Sequence, residues 1–163
     1  MCAPHTLVAA CESAIRIEES KNEPRLQNLF TLRGSELADL VKVNHPGKHD
    51  VFYSMKQLGL NGIYKYRDGE VCDNVKFKIK AIRPLYEDDD FKFVKQYIRN
   101  TGGVFAGILI ESKGFDKYNG RGCYVVPKRV REKDLEPHAV LLTGYNERRR
   151  YFNFMNNHGR EFG

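Results

Sequence analysis

Apolar residues recur every third or fourth position early in the chain, then alternate with polar ones or run together later. From Pro4 to about Glu18, Leu7, Cys11 and Ile15 fall on one helical face, and a proline suits a first turn because the N–H it lacks has no intrahelical partner there. Ser35 is placed to cap a short helix bearing Leu37, Leu40 and Val41. Asp50 is placed to cap another bearing Phe52, Met55 and Leu58, with Gly59 ending it. His45-Pro46-Gly47 predicts the turn between the two.

Beyond Asn61 the texture changes. Val75, Phe77 and Ile79 alternate with Lys76, Lys78 and Lys80, which describes a strand with one face in water. Asp88-Asp89-Asp90 opens a helix with Phe91, Val94, Tyr97 and Ile98 on its apolar face, since carboxylates complement the positive end of a helix. Thr101-Gly102-Gly103 closes that helix. Strands are predicted at Val104–Glu111, Gly122–Val126, Ala139–Tyr145 and Tyr151–Met155. Helices in front and strands behind argue an α+β fold rather than a parallel α/β sheet, with a site in the cleft between the two parts.

A chain of 163 residues suits one domain with a real core, and 41% hydrophobic against 29% charged residues is ordinary globular composition. The net charge of +6 is scattered over short segments, so no nucleic-acid partner is expected. No apolar run approaches the roughly 20 residues that span a bilayer, and no signal peptide is visible. No membrane role is expected. Cys2, Cys11, Cys72 and Cys123 lack metal-ligand or disulfide-framework spacing, which favours reduced thiols and an intracellular setting. His45 and His49 are separated by a proline and a glycine, so they do not present a helical ligand pair, and no metal is expected. Arg148-Arg149-Arg150 and the Lys128, Arg129, Arg131 loop are expected to be solvated turns.

Chemistry gathers at three residues. Cys2 stands at the start of the first helix, where the dipole and unpaired N–H groups favour a thiolate, the form that attacks carbonyls. Cys11 lies on the apolar face of that helix and belongs to the core. A nucleophile needs a base, and the base needs an orienting partner. A hairpin turn centred on Glu147 sets His138 opposite Asn156, with Cβ atoms about 4.5–5.5 Å apart. The amide oxygen of Asn156 then accepts from the imidazole and fixes its tautomer, leaving the other nitrogen to take the thiol proton. A slip of one residue would send the two side chains to opposite faces, leaving only a polar strand end.

His138-Ala139-Val140-Leu141-Leu142-Thr143-Gly144-Tyr145 resembles the strand that carries the catalytic histidine of the papain-like cysteine peptidases. Asn156-Asn157-His158-Gly159-Arg160-Glu161-Phe162-Gly163 resembles their Asn-Ser-Trp-Gly-x-x-Trp-Gly signature. Thr101-Gly102-Gly103-Val104-Phe105-Ala106 is similar to their Gly-Pro-Val segment, and Tyr64-Lys65-Tyr66 to their Tyr-Pro-Tyr. Val8-Ala9-Ala10-Cys11-Glu12-Ser13 is similar to the helix behind the nucleophile, which puts Cys2 at the nucleophile position. His138 follows Cys2 by 136 residues and Asn156 follows it by 154, close to the roughly 130–150 that separate these groups in papain itself.

The resemblance implies a papain-like fold over residues 1–163, helical to about residue 70 and β from about 71, incomplete at both ends. It implies peptide-bond hydrolysis by Cys2, His138 and Asn156 on a peptide or protein substrate, without a cofactor. Departures from the pattern bear on activity. Met1 stands where an oxyanion-hole glutamine would precede the nucleophile, and Ala3 follows Cys2 where the family has an aromatic residue. His158 replaces the tryptophan that covers the Asn–His bond, and Leu40 occupies a disulfide-cysteine position, leaving Cys72 unpaired. These departures imply weak activity, or the alternative of a non-catalytic, peptide-binding or regulatory module.

Overall fold

The helix expected from Pro4 begins at Cys2 and runs to Asn22 as α1 in the computed structural model, which describes residues 2–22, 30–48, 50–72, 74–80, 91–126 and 128–156. Its first turns are the buried ones. Ala3, Pro4, Thr6, Leu7 and Val8 are shut from water, while Arg16 and residues 18–21 face it.

α2 (Gly34–Asn44) departs from the expected local start. Arg33, not Ser35, is its N-cap, and the Arg33 side chain makes no capping bond. Tertiary contacts hold this end instead. The Arg33 guanidinium donates to the Gly69 carbonyl at 2.8 Å and lies 3.8 Å from the Tyr66 ring centre. The Glu36 carboxylate accepts from the Tyr64 N–H at 3.1 and 3.2 Å and from the Tyr66 hydroxyl at 3.1 Å. A Cβ on Gly34 would collide with His5, so α1 and α2 meet this closely only with glycine there.

α3 (Val51–Leu60) has the expected cap, with the Asp50 carboxylate accepting from the Tyr53 N–H at 3.1 Å. Gly59 does not end it. The helix runs one residue further, and the chain turns at Gly62, whose φ of +67° suits glycine.

A small antiparallel sheet follows in the order β1-β2-β3, formed by Thr31–Leu32, Lys65–Arg67 and Glu70–Val71. Asp68 and Gly69 join β2 to β3 with positive φ at both positions, the conformation that a two-residue hairpin loop demands. The strand expected at Val75–Ile79 is absent as a ladder. Phe77 alone pairs, exchanging two backbone hydrogen bonds with Ile63 at 3.0 and 2.8 Å. The alternation sorts the side chains only in part: Phe77 and Ile79 pack on the helical core, whereas Val75, of the same parity, is exposed. That core is built on Leu7, Val8, Leu32, Leu37, Leu58 and Ile63.

α4 (Phe91–Thr101) buries Ile98 and closes at Gly102 with φ +75°. The Asp88-Asp89-Asp90 cluster expected to open it lies outside the described residues. The second sheet has the order β4-β5-β6, all antiparallel, with β4 at Val104–Glu111, β5 at Leu135–Asn146 and β6 at Tyr151–Met155. Between β4 and β5 come the short α5 (Ser112–Asp116) and a single 3-10 turn at Glu132–Asp134. No strand forms at Gly122–Val126. The Tyr124 hydroxyl fixes this stretch instead, accepting from the Glu111 N–H at 2.9 Å and donating to its carbonyl at 3.3 Å. The whole is α+β, helices with two small antiparallel sheets, and α1 packs across β5. Among the described residues no helix is long and apolar enough to cross a membrane.

Candidate active site

β5 and β6 bring His138 and Asn156 together, but not by the simple hairpin register. Near the turn, Asn146 faces Tyr151 and Gly144 faces Asn153; past a β-bulge between Leu142 and Gly144, Leu142 faces Phe154 and Leu141 faces Met155. Continued unbroken, the register at the turn would set Asn156 opposite Leu141, on the face His138 does not use. The bulge inserts one residue and restores the parity, so that Asn156 falls diagonally across from His138. The pair expected directly opposite is therefore a diagonal pair, within reach of long side chains.

Contact is made. His138 Nε2 lies 2.8 Å from Asn156 Oδ1, and the amide oxygen can only accept, so Nε2 is the donor, which in the neutral ring leaves the lone pair on Nδ1. His138 is 6% exposed. Phe115, fully buried on α5, packs its ring 5.0 Å from the imidazole at 59°, and Tyr124 meets Phe115 edge-on at 4.9 Å. Phe154 of β6 stacks on Phe115 with ring centres 6.3 Å apart. An apolar wall thus excludes water from one side of the imidazole. No pattern in the sequence singles out Phe115, because α5 is too short to show a period.

Cys2 is the first residue of α1, half-buried, with a free thiol. One helical turn further on the same face, the Thr6 hydroxyl donates to the Ala139 carbonyl at 3.2 Å. Thr6, one turn along that face from Cys2, thus touches β5 at the residue after His138. Among the described residues no hydrogen bond joins the Cys2 sulfur to the imidazole.

The other thiols have different surroundings. Cys11 packs on the helical core, and burial, with the Glu12 carboxylate adding to it, pushes its thiol up to about 11. Cys72 and Cys123 are exposed, and all four thiols are free. His45 contacts Gln57 at 3.0 Å and Tyr53 at 4.5 Å between ring centres, while His49 lies outside the described residues. No group of three or more His, Cys, Asp or Glu among the described residues is arranged to hold a metal ion.

A cleft of about 1170 Å³ is lined by residues of α1, of the 118–126 stretch and of β4, β5 and β6. Asn156 borders it, together with His5, Thr6, Val140, Leu142 and Phe154; Cys2 and His138 stand outside its lining. No family model, curated protein or solved structure matches this chain. The case for its chemistry therefore rests on its own residues.

Proposed function

We propose that the chain is a papain-like cysteine peptidase domain in which Cys2, His138 and Asn156 hydrolyse peptide bonds. The observation that carries this is the 2.8 Å bond from His138 Nε2 on β5 to Oδ1 of Asn156, the residue that follows β6, past a bulge that sets them on one face. With Nε2 holding the proton, Nδ1 is the basic nitrogen. It takes the proton of the Cys2 thiol as sulfur attacks the carbonyl, then gives it to the departing amine, leaving a thioester that water resolves. The first N–H groups of α1, which have no intrahelical acceptors, supply positive charge beside the developing oxyanion.

A second reading has its own support. The burial of His138 and the absence of a thiol–imidazole hydrogen bond among the described residues suit a module that holds a peptide without cutting it. Turnover of a fluorogenic peptide panel separates the two, with Cys2→Ala as the blank. The peptidase predicts hydrolysis that Cys2→Ala abolishes and His138→Ala lowers by about 10²–10⁴-fold, the usual contribution of a positioned base. Rates equal to the Cys2→Ala blank across the panel, with peptide still bound, would establish the binding module instead.

A further inference from the structure

Positive charges that lie apart in the sequence are gathered by the fold at one corner. Lys95 and Arg99 stand one turn apart on α4, and both reach the ring of Tyr145 on β5, at 5.6 and 5.5 Å from its centre. The Lys95 ammonium also donates to the Glu147 carboxylate at 2.8 Å, which ties α4 to the turn between β5 and β6. That turn carries Arg148, Arg149 and Arg150, all exposed, and Arg150 lines one hollow of about 270 Å³ together with Lys95. Arg149 and Arg150 border the cleft as well. Among the described residues Glu147 is the one carboxylate that pairs with any of these five cations. Its bond to Lys95, with Arg99 nearby, holds the Glu147 carboxyl below the usual carboxylate range.

Arg150 keeps its place at a conformational cost. Its φ of +55° lies in the left-handed region that glycine enters freely and arginine does not. The turn itself is fixed, since the Arg149 N–H donates to the Asn146 amide oxygen at 2.9 Å. Residues 146–150 hold no apolar side chain. Protein partners are held by buried aromatic or aliphatic anchors, and membrane surfaces by apolar groups that enter them. Dense charge without such an anchor suits a phosphodiester backbone, whose closely spaced anions match guanidinium donors.

We infer that this corner binds the sugar-phosphate backbone of a nucleic acid, with Arg99, Arg148, Arg149 and Arg150 on its phosphates and Lys95 engaged by Glu147. Scattered charge in the sequence argued against such a partner, but binding depends on where the fold puts the charges. Backbone contacts of this kind position a strand without reading its bases. The inference stands apart from the proposed peptidase role and survives if that role fails.

Binding is measured by fluorescence anisotropy with a labelled oligouridylate of about 12 nucleotides, a length within the usual range of single-strand sites. Four guanidiniums free of carboxylates should give a slope of log affinity against log salt of about −3, a loss of about fiftyfold between about 50 and 200 mM salt. Glu147→Gln releases Lys95 as a fifth cation, so it should bind about fivefold more tightly near 0.1 M salt, with a slope steeper by about 0.7. Changing Arg148, Arg149 and Arg150 together to glutamine should weaken binding about a hundredfold and flatten the slope to about −1. Arg150→Gly should unfold at a urea concentration no lower than the parent's and still bind about fivefold more weakly, which separates a side chain kept for its charge from one kept for the turn. A parental slope shallower than about −1 would overturn the inference, as would an affinity unmoved by the triple variant or by Glu147→Gln. So would tighter binding of polyglutamate or of phosphatidylserine vesicles than of the oligonucleotide at the same salt, which would make an acidic protein or a membrane the partner.

Discussion

Replacing Asn156 by alanine removes the acceptor that faces His138 Nε2 at 2.8 Å. The imidazole is 6% exposed and walled by Phe115, so its N–H loses a bond in a place where water has little access. A buried donor deprived of its acceptor costs about 1–3 kcal/mol. With a urea slope of about 1–3 kcal/mol per molar for a domain of this size, the unfolding midpoint should fall by about 1 M. The same change has a spectroscopic consequence. The amide oxygen holds the proton on Nε2, so long-range ¹⁵N–¹H correlation should show a single Nε2–H tautomer for His138 at a pH where the ring is neutral. Asn156→Ala should show a mixture, and Asn156→Asp, which keeps an acceptor, should not. A variant within about 0.5 kcal/mol of the parent, with the His138 tautomer unchanged, would mean that the Asn156 amide does not set the state of the imidazole.

Three further outcomes follow from the geometry. Phe115→Ala empties a fully buried site against His138, Tyr124 and Phe154 and should cost about 3–5 kcal/mol in urea unfolding; a loss under 1 kcal/mol would show the cluster to be loosely packed. Asp50→Ala should destabilise by about 0.5–2 kcal/mol through loss of the Tyr53 N–H acceptor, and Asp50→Asn should recover most of it. Cys11 titrates near 11 in the fold against an ordinary 9.0, so the fold favours the protonated thiol. Its contribution, on the order of 2–3 kcal/mol, is fully present below pH 9 and is lost as pH rises towards 11. Chemical unfolding across that window should fall more steeply for the parent than for Cys11→Ala, and parallel curves would refute the assignment.

The parts of the fold legible in the sequence are those whose signal is long. Val104–Glu111 and Tyr151–Met155 match β4 and β6 because their apolar runs end sharply at turn residues. β1 to β3 are two or three residues each, too short for any period, although Asp68-Gly69 between Arg67 and Glu70 is a hairpin signal that was there to be read. Ser35 misleads because a cap motif is local, whereas α2 is anchored by Arg33 and Glu36 reaching to residues 28 to 36 positions away. Gly122–Val126 has a strand's composition, but Tyr124 bonds to the backbone of Glu111 and the stretch stays outside the sheet. The His138–Asn156 pair was legible as an encounter and illegible as a register. A bulge has no reliable sequence mark, and the register of the observed turn continued without it would have parted the two side chains.

The central claim is that Cys2 acts as a nucleophile under the control of His138, and the acyl-enzyme is its direct trace. Mixing the protein with a peptide ester, quenching in acid within the first turnover and measuring intact and fragment masses locates any thioester. The account predicts acylation at Cys2 and not at the exposed Cys72 or Cys123, absent in Cys2→Ala and at least a hundredfold slower in His138→Ala. A folded protein that gains no acyl group at Cys2, or gains it as fast without His138, would contradict the account.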